Sequence, residues 1–377
     1  MNIIIAGDFT TEDRGMDAVI RGDAISEDIQ LILREADYSI VNLEAPVVKS
    51  DYKPIIKSGP HLSTSPETIS YLKKCGFHAV TLANNHFYDY GDDGVKLTIE
   101  ELRRRSVDYV GGGKTDEEKK KILIKDIQDT RIAILNYCEH EFSINDGVGS
   151  NPLSEIDAYY DIIQAKSLAD VIVLIVHGGS EGYQLPSPRM QKLYRFFIDI
   201  GADAVVNHHQ HCYSGYERYN NGYIFYGLGN FFFDNKRENN TIWNEGYMVG
   251  LDIQDKSIFD FTLIPYKQCK NDCIQVNLMK GKEKESFYSS VEKLNSIIAD
   301  DKHLNDEFIS FCRKKGGDYL SAFTPYSNRY LRYLCKHKYL PSFLTKRKKL
   351  VISNYIGCES HRDITNHSLK YVLVHES

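Results

Sequence analysis

The sequence predicts an α/β fold followed by a helical extension, and three observations indicate this. Short apolar runs alternate with longer amphipathic stretches through the first two-thirds of the 377 residues, as in parallel strands joined by helices. Polar side chains follow successive apolar runs directly. From about residue 283 the sequence becomes helical, polar and finally basic. We therefore expect an α/β domain at residues 1–280 and a helical, basic region at residues 281–377.

The strand predictions rest on apolar, often β-branched runs that stop at Gly, Asp, Asn or Pro. A hairpin is expected where Gln128-Asp129 separates two such runs. In chain order the predicted strands are Asn2–Ala6, Tyr38–Leu43, Ala79–Leu82, Tyr109–Val110, Ile122–Ile127, Arg131–Tyr137, Val171–Val176, Ala204–Asn207, Tyr223–Tyr226, Met248–Ile253 and Phe259–Pro265.

The helix predictions rest on start and stop signals. Ser65-Pro66-Glu67 opens one helix and Gly76 ends it, while Gly201 ends another that begins at Arg189. The predicted helices lie at about residues 25–35, 65–74, 94–105, 154–168 and 189–200.

The composition and charge are those of a soluble globular protein. Apolar residues make up 42% of the chain and charged residues 26%, and the net charge is −6. No apolar run reaches the roughly 18 residues of a membrane-spanning helix, and no basic leader precedes Asn2–Ala6. We therefore expect an unexported, cytoplasmic protein whose cysteines are reduced.

Metal-capable side chains follow five of the predicted strands. A single His or Asp after a strand is usually a cap or turn residue, but five such positions in order indicate one site. Because the carboxyl ends of parallel strands face a common crevice, these groups are expected to converge. The residues are Asp8, Asn42, Glu44, Asn85, His86, His177, His209 and His211.

The mixture of ligand types limits which metal ions the site would bind. Carboxylate or amide oxygens together with imidazoles suit Mn, Fe or Zn better than Ca or a thiolate-held structural zinc. Two such ions about 3.5–4 Å apart would share a bridging carboxylate, polarise a substrate and generate a hydroxide nucleophile near neutral pH.

The same residues lie in motifs that resemble a known family. In order, the motifs are Gly7-Asp8, Asn42-Leu43-Glu44, Ala83-Asn84-Asn85-His86-x-x-Asp89-x-Gly91, Val176-His177-Gly178-Gly179, His208-His209-Gln210-His211 and Tyr226-Gly227-Leu228-Gly229-Asn230-Phe231. Together they resemble the CapA family of capsule and poly-γ-glutamate synthesis proteins, which is related to the calcineurin-like metallophosphatases. The match covers about residues 1–265.

The resemblance implies a fold and a function. The fold would be a metallophosphatase-like four-layer β-sandwich flanked by helices. The function would be a part in capsule or exopolymer biosynthesis, of the poly-γ-glutamate type or of an exopolysaccharide, with a dinuclear-type hydrolase site acting on a phosphoester. Two alternatives stay open: a γ-glutamyl amide hydrolase or transferase, and a non-catalytic, metal-stabilised scaffold of a polymer synthesis complex.

The resemblance also implies roles for individual residues. Asp8, Asn85, His177, His209 and His211 would bind one or two divalent ions. Glu44, with Asn42 as the alternative, would take the place of the bridging carboxylate, and His86 would be the catalytic general acid. His208 would be a neighbour of the ligands, and Asn230 would orient a ligand histidine. Asp89 is expected to hold its loop through backbone amides, and Glu181 is a candidate substrate contact or further carboxylate.

The chain departs from the phosphatase pattern at three positions. Where that pattern has Asp-x-His, this chain has Asp8-Phe9-Thr10, and Asn-Leu-Glu replaces Gly-Asp in the second motif. Asn207 stands where family members have Gly. A dinuclear site and a site with one tight and one weak ion are both compatible with this ligand set.

The basic segment at residues 319–358 is a candidate contact site for anionic partners. It contains no Asp or Glu and eight Lys or Arg, four of them at Lys346–Lys349. A solvated helix face, a peripheral contact with an anionic membrane or biosynthetic complex, and a contact with an anionic polymer are the three interpretations. Nucleic acid is not expected, since no recognition motif accompanies the charge.

Overall fold

The computed structural model describes residues 1–357, except residues 13, 58, 236–237, 239 and 271–272. Residues 358–377, the end of the predicted C-terminal region, lie outside the described residues. The chain forms two compact units, one from Met1 to Asn305 and one that begins at Asp306. None of the described helices is long and apolar enough to cross a bilayer.

The strands are β1 (Asn2–Phe9), β2 (Tyr38–Leu43), β3 (Ala79–Thr81), β4 (Asp108–Val110), β5 (Gly112–Gly113), β6 (Leu123–Ile127), β7 (Thr130–Cys138), β8 (Gly149–Ser150), β9 (Val171–His177), β10 (Ala204–His208), β11 (Tyr216–Tyr219), β12 (Gly222–Phe225), β13 (Asn230–Phe232), β14 (Glu245–Gln254), β15 (Ser257–Lys270) and β16 (Cys273–Leu278). The helices are α1 (Gly15–Arg21), α2 (Glu27–Glu35), α3 (Pro66–Cys75), α4 (Gly91–Arg104), α5 (Asp116–Lys119), α6 (Glu155–Leu168), α7 (Pro188–Ile200), α8 (Gly281–Ile298), α9 (Asp301–Ser321), α10 (Arg329–Lys336) and α11 (Lys346–Gly357).

The strands of the first unit form two large sheets. The eight-stranded sheet has the order β16-β15-β14-β1-β2-β3-β4, with β13 beside β1. The six-stranded sheet has the order β11-β12-β10-β9-β7-β6. The middle of each sheet is parallel, from β1 to β4 and from β7 through β9 and β10 to β12. The hairpin predicted at Gln128-Asp129 is confirmed by the antiparallel pair β6–β7.

Three buried clusters separate four layers. Ile3 and Ile5 of β1 pack between the two sheets, in the same cluster as Val173 of β9. Ile4, which points to the opposite face of β1, packs with the helices that cover the larger sheet. Phe197 of α7 packs in a third cluster, on the outer face of the smaller sheet. The predicted helix–sheet–sheet–helix sandwich is therefore confirmed.

The helix α8 lies beyond the predicted domain boundary at residue 280 but belongs to the first compact unit. Its Phe287 and Val291 are buried in the cluster between the sheets. The proposed division after residue 280 stays a prediction, while the helical character of the segment up to Gly357 is observed in α8–α11.

We expect Gly7→Ala to destabilise the protein because Gly7 is pressed against the backbone of Gly229, directly before β13. A Cβ at this position would overlap the carbonyl oxygen of Gly229, and this oxygen also accepts the hydrogen bond from the Asp8 N–H. Because the carbonyl belongs to the backbone, it cannot turn away as a flexible side chain could, and the overlap costs about 1–3 kcal/mol. Urea unfolding should show a lower midpoint than in the wild type. Gly316→Ala is the control, because no atom lies near its added methyl group. An unchanged midpoint for Gly7→Ala would contradict the expectation.

Candidate metal centre

The predicted site residues meet at the carboxyl ends of parallel strands from both sheets. Strand register brings them together: Asp8 of β1 lies opposite Asn42 of β2 and Asn230 of β13. In the other sheet, His177 at the end of β9 lies opposite His208 at the end of β10. The two sheets thus contribute to one crevice, as expected for the strand ends of an α/β fold.

Glu44 lies in this crevice, and its carboxylate group has no hydrogen-bond partner. The residue is fully buried, and neither of its carboxylate oxygens has a hydrogen-bond partner. Its Oε1 lies 3.5 Å from Nε2 of His177 and 3.8 Å from Nε2 of His211. Burial raises the pKa of Glu44, although His211 and His86 oppose the rise. A buried carboxylate without a donor is costly, and a bound cation would remove that cost.

One set of donor atoms is grouped around His177. Nε2 of His177 lies 3.0 Å from Oδ1 of Asn85 and 3.1 Å from Nδ1 of His209. Donor atoms that bind one ion at about 2.0–2.2 Å lie roughly 3–3.5 Å from one another. The spacing of these atoms and of Glu44 Oε1 therefore fits a metal site.

A second set of donor atoms is grouped around His211. His211 Nδ1 lies 3.6 Å from Asp8 Oδ2, and its Nε2 lies 3.8 Å from Glu44 Oε1. Asp8, Glu44 and His211 form one group with metal-ligand spacing, and Glu44, His177 and His209 form another. Glu44 thus belongs to both groups, which is the arrangement that a bridging carboxylate requires.

Three of the buried histidines have lowered pKa values that suit metal binding. Burial lowers the pKa of His177 to about 3 and that of His208 to about 4, and it also lowers the pKa of His209. For His211, burial lowers the pKa, but the carboxylates of Glu44 and Asp8 outweigh this effect, so the net change in pKa is upward. Neutral imidazole is the ligand form, so His177 and His209 are ready to coordinate at neutral pH.

The loop after β10 has an unusual backbone. His209 and His211 both have positive φ, at 85° and 54°, which few residues other than glycine adopt. The N–H of His209 donates to Oδ2 of Asp8, which ties the loop to β1. Asn207 donates through Nδ2 to the carbonyl of Gly178, so its amide links this loop to the one after β9. Asn207 therefore has a structural role in this loop.

Asn42 and Asn230 support the ligands through hydrogen bonds. Nδ2 of Asn42 donates to Oδ1 of Asp8 at 2.7 Å, and its Oδ1 accepts from the hydroxyl of Thr81. The amide oxygen of Asn42 is thus occupied, which favours Glu44 as the bridging group. Oδ1 of Asn230 lies 2.9 Å from Nδ1 of His211, so Nε2 is the nitrogen of His211 that faces Glu44.

His86 lies beside the donor sets in a separate hydrogen-bonded group. Its Nδ1 contacts Oδ2 of Asp89 at 2.7 Å, and the same oxygen accepts from the N–H of Leu62 at 2.7 Å. The ammonium group of Lys57 is bonded to Oδ1 of Asp89 and lies 3.3 Å from Nδ1 of His86. Asp89 therefore orients His86 and holds Lys57 and Leu62 in place, rather than facing the donor sets.

Two groups around the crevice were absent from the sequence prediction. Glu141 accepts a hydrogen bond from Nδ2 of Asn85 at 3.0 Å, and its Oε1 lies 3.9 Å from Nε2 of His209. Glu141 follows the end of β7 as the other site residues follow their strands, so the same rule could have found it. Lys57 lies in the long connection between β2 and α3, and no local pattern marks it.

The donor sets open into a cleft of about 470 Å³. Lys57, His86 and His211 line it together with Glu141, and Glu181 lies on its exposed rim. His208 is different, because it is buried and both of its ring nitrogens lack hydrogen-bond partners. It groups with Asp8 and His177 at metal-ligand spacing, so it is a further candidate donor, whereas the sequence indicated only a neighbour of the ligands.

Sequence comparison identifies the family of this chain. A model of the family described as bacterial capsule synthesis protein PGA_cap matches residues 2–235. The capsule biosynthesis protein CapA of Bacillus anthracis is 35% identical over 224 residues, which are 56% of this chain and 54% of that protein. The PGA biosynthesis protein CapA of Bacillus subtilis (strain 168) is 34% identical over 230 residues, 59% of each chain. The match thus spans little more than half the length of these relatives.

Structural comparison finds distant neighbours. A phosphatase from Mycoplasma pneumoniae is 13% identical, with a TM-score of 0.47, and the alignment covers 70% of this chain and 92% of that one. The 5′-nucleotidase from Candida albicans SC5314 is 10% identical, with a TM-score of 0.40, over 83% of this chain and 58% of the other.

Proposed function

This chain belongs to the bacterial capsule synthesis protein PGA_cap family, and from that premise we propose that it is a metal-dependent phosphoester hydrolase of capsule or poly-γ-glutamate-type polymer biosynthesis. The family model covers residues 2–235, which include every donor atom described above. The resemblance to the CapA family is thereby confirmed. The reaction and the substrate belong to the proposal.

The observation that supports the proposal is the position of Glu44. Its carboxylate is fully buried, lacks a hydrogen-bond donor and belongs to both donor groups. Such a carboxylate is destabilising unless a cation neutralises it. The surrounding donors are oxygens and imidazole nitrogens, which suit Mn, Fe or Zn.

The residues divide into two metal-holding sets. Asp8, Glu44 and His211 would hold one ion. Glu44, His177 and His209, with Asn85 Oδ1, would hold a second. When bound, divalent ions of this kind supply Lewis acidity and lower the pKa of bound water.

The other residues of the cleft would handle the substrate. Asp89 engages Nδ1 of His86, so Nε2 is the atom that can hold the proton for a leaving-group oxygen. Lys57 brings a positive charge to the same side of the cleft, where it would attract an anionic substrate. The site thus pairs a candidate proton donor with a candidate anion-binding group.

A second candidate function rests on a different observation. Thr10 stands where the phosphatase pattern places a ligand histidine, and its buried hydroxyl has no hydrogen-bond partner. The set around Asp8 and His211 therefore has one protein ligand fewer, and a weakly held ion would leave a non-catalytic, metal-stabilised accessory protein of a polymer synthesis complex. Metal stoichiometry and turnover separate the two.

We expect the purified protein to bind Mn²⁺ and to hydrolyse p-nitrophenyl phosphate or bis-p-nitrophenyl phosphate. His209→Ala should abolish both the hydrolysis and the binding of one ion, because it removes a donor from the set around His177. Elemental analysis measures the ions per chain, and release of p-nitrophenol measures turnover. His303→Ala is a control, since His303 is exposed on α9. Bound metal with no turnover on phosphoesters would support the accessory-protein function instead, while turnover of γ-glutamyl amides alone would identify an amidase.

A further inference from the structure

The unit that begins at Asp306 exposes large apolar side chains beside basic ones. Six of these side chains, with relative exposures from 57% to 75%, are Tyr319, Tyr330, Tyr333, Tyr339, Phe343 and Leu350. Residues 319–357 contain eight Lys or Arg and no Asp or Glu. Lys336 also pairs with Asp318, which directly precedes this segment. An exposed surface of this kind, apolar and mainly basic, is a mark of an interaction site.

The helix α10 separates the two kinds of side chain. Arg329, Arg332 and Lys336 recur at intervals of three and four residues, so they share one face of the helix. Tyr330 and Leu334 share the opposite face, and both are exposed. The guanidinium of Arg329 lies over the ring of Tyr330, 4.8 Å from its centroid, so basic and aromatic groups adjoin where the faces meet.

The first turn of α11 concentrates positive charge. Lys346, Arg347, Lys348 and Lys349 are consecutive, exposed residues at the N-terminal end of this helix. These four cations repel one another because they carry the same charge. They also interact unfavourably with the helix macrodipole, because the N-terminal end of a helix carries a partial positive charge. An anionic surface beside this turn would remove both penalties.

We propose that this unit is a peripheral membrane-docking element that binds the surface of a bilayer containing anionic lipid. The basic side chains complement lipid phosphates, at about 1 kcal/mol for each Lys or Arg near the surface. The tyrosines and Leu334 complement the boundary between headgroups and acyl chains, where aromatic and apolar groups leave water. A soluble polyanion would satisfy the charges but offers no apolar phase to these exposed side chains.

The test is sedimentation of the full-length protein with lipid vesicles at low and high salt. We expect binding to vesicles that contain phosphatidylglycerol, little binding to pure phosphatidylcholine, and weaker binding as salt rises. Changing Lys346, Arg347, Lys348 and Lys349 to Gln together should weaken partitioning by about 100-fold or more. Tyr330→Ser with Tyr333→Ser should weaken it by about tenfold.

Matched controls come from the first unit. Changing the exposed residues Lys282, Lys284, Lys293 and Lys302 to Gln removes the same charge from α8 and the start of α9. Tyr159→Ser with Tyr160→Ser removes two exposed aromatics from α6. Both controls should bind vesicles as the wild type does, and circular dichroism should show that all variants keep their helices.

The proposal requires selectivity for anionic vesicles and a loss of binding in both tail variants, with neither loss in the controls. The absence of any one of these results overturns it. Soluble poly-γ-glutamate is a parallel probe: if it binds as tightly as the vesicles and the tyrosine variant binds it normally, the basic tail is a polyanion site and the membrane proposal is wrong.

Discussion

Glu44→Gln is expected to remove most of the metal affinity of this protein and, with it, any hydrolysis. Glutamine keeps the size of the side chain but removes the negative charge that both donor groups share. The loss of a shared ligand should weaken metal binding by about 100-fold or more. At a free Mn²⁺ concentration 100 times the wild-type Kd, the ion stabilises the wild type by about 2.7 kcal/mol and such a variant by only about 0.4 kcal/mol.

The same substitution has an opposite effect in the absence of metal. Burial raises the pKa of Glu44, so ionising this carboxyl in the folded protein costs free energy, and that cost is present at a pH above the pKa of the unfolded chain. Without metal, Glu44→Gln is therefore expected to be at least as stable as the wild type at neutral pH. A destabilised metal-free variant would show that the carboxylate is held by protein groups instead.

Thermal unfolding with Mn²⁺ and with a chelator measures both effects. Glu100→Gln is the control, because the Glu100 side chain is 64% exposed and lies on the surface of α4. This control should keep the full Mn²⁺-dependent rise in melting temperature. An equal rise in Glu44→Gln would contradict the role of Glu44 in holding metal.

The fold was predictable where side-chain periodicity coincided with burial. Val171–Val176 is buried on both faces of its strand and is wholly apolar, so sequence alone marks it. The strand β16 is different, since Cys273–Leu278 lies at a sheet edge and is only partly buried, so its sequence is mixed. The three-residue β13 was also missed, because it forms through pairing with β1 rather than through its own propensity.

The site was predictable where strand ends determine position. Asp8, Asn85 and His177 lie at the ends of parallel strands, so topology brings them together across the two sheets. Lys57 could not be predicted in this way, because a loop carries it into the cleft and its place depends on contacts with Asp89 and His86. Glu141 is a different case. Its position after the end of β7 can be seen in the sequence, but its contact with Asn85 can be seen only in the structure.

His86→Gln is expected to separate chemistry from metal binding. His86 contacts Asp89 and Lys57 rather than the buried carboxylate of Glu44, so its loss should leave metal content and the Mn²⁺-dependent rise in melting temperature unchanged. If His86 donates the proton to the leaving group, kcat should fall by about 10²–10⁴-fold. The loss should be smaller for a substrate with a more acidic leaving group, which needs less protonation. Steady-state kinetics with phenyl phosphate and p-nitrophenyl phosphate measure this difference.

Lys57→Met is the companion variant, because it removes a charge from the same side of the cleft without removing the imidazole. If Lys57 attracts the substrate anion, KM should rise with little change in kcat, since the lost attraction acts on substrate and transition state alike. A matching fall in kcat for both variants would indicate that Lys57 acts through the orientation of His86, with which it shares Asp89.

Two results would contradict the role of His86. Loss of Mn²⁺ in His86→Gln would make this histidine a ligand, and an unchanged kcat in that variant would exclude it as the proton donor.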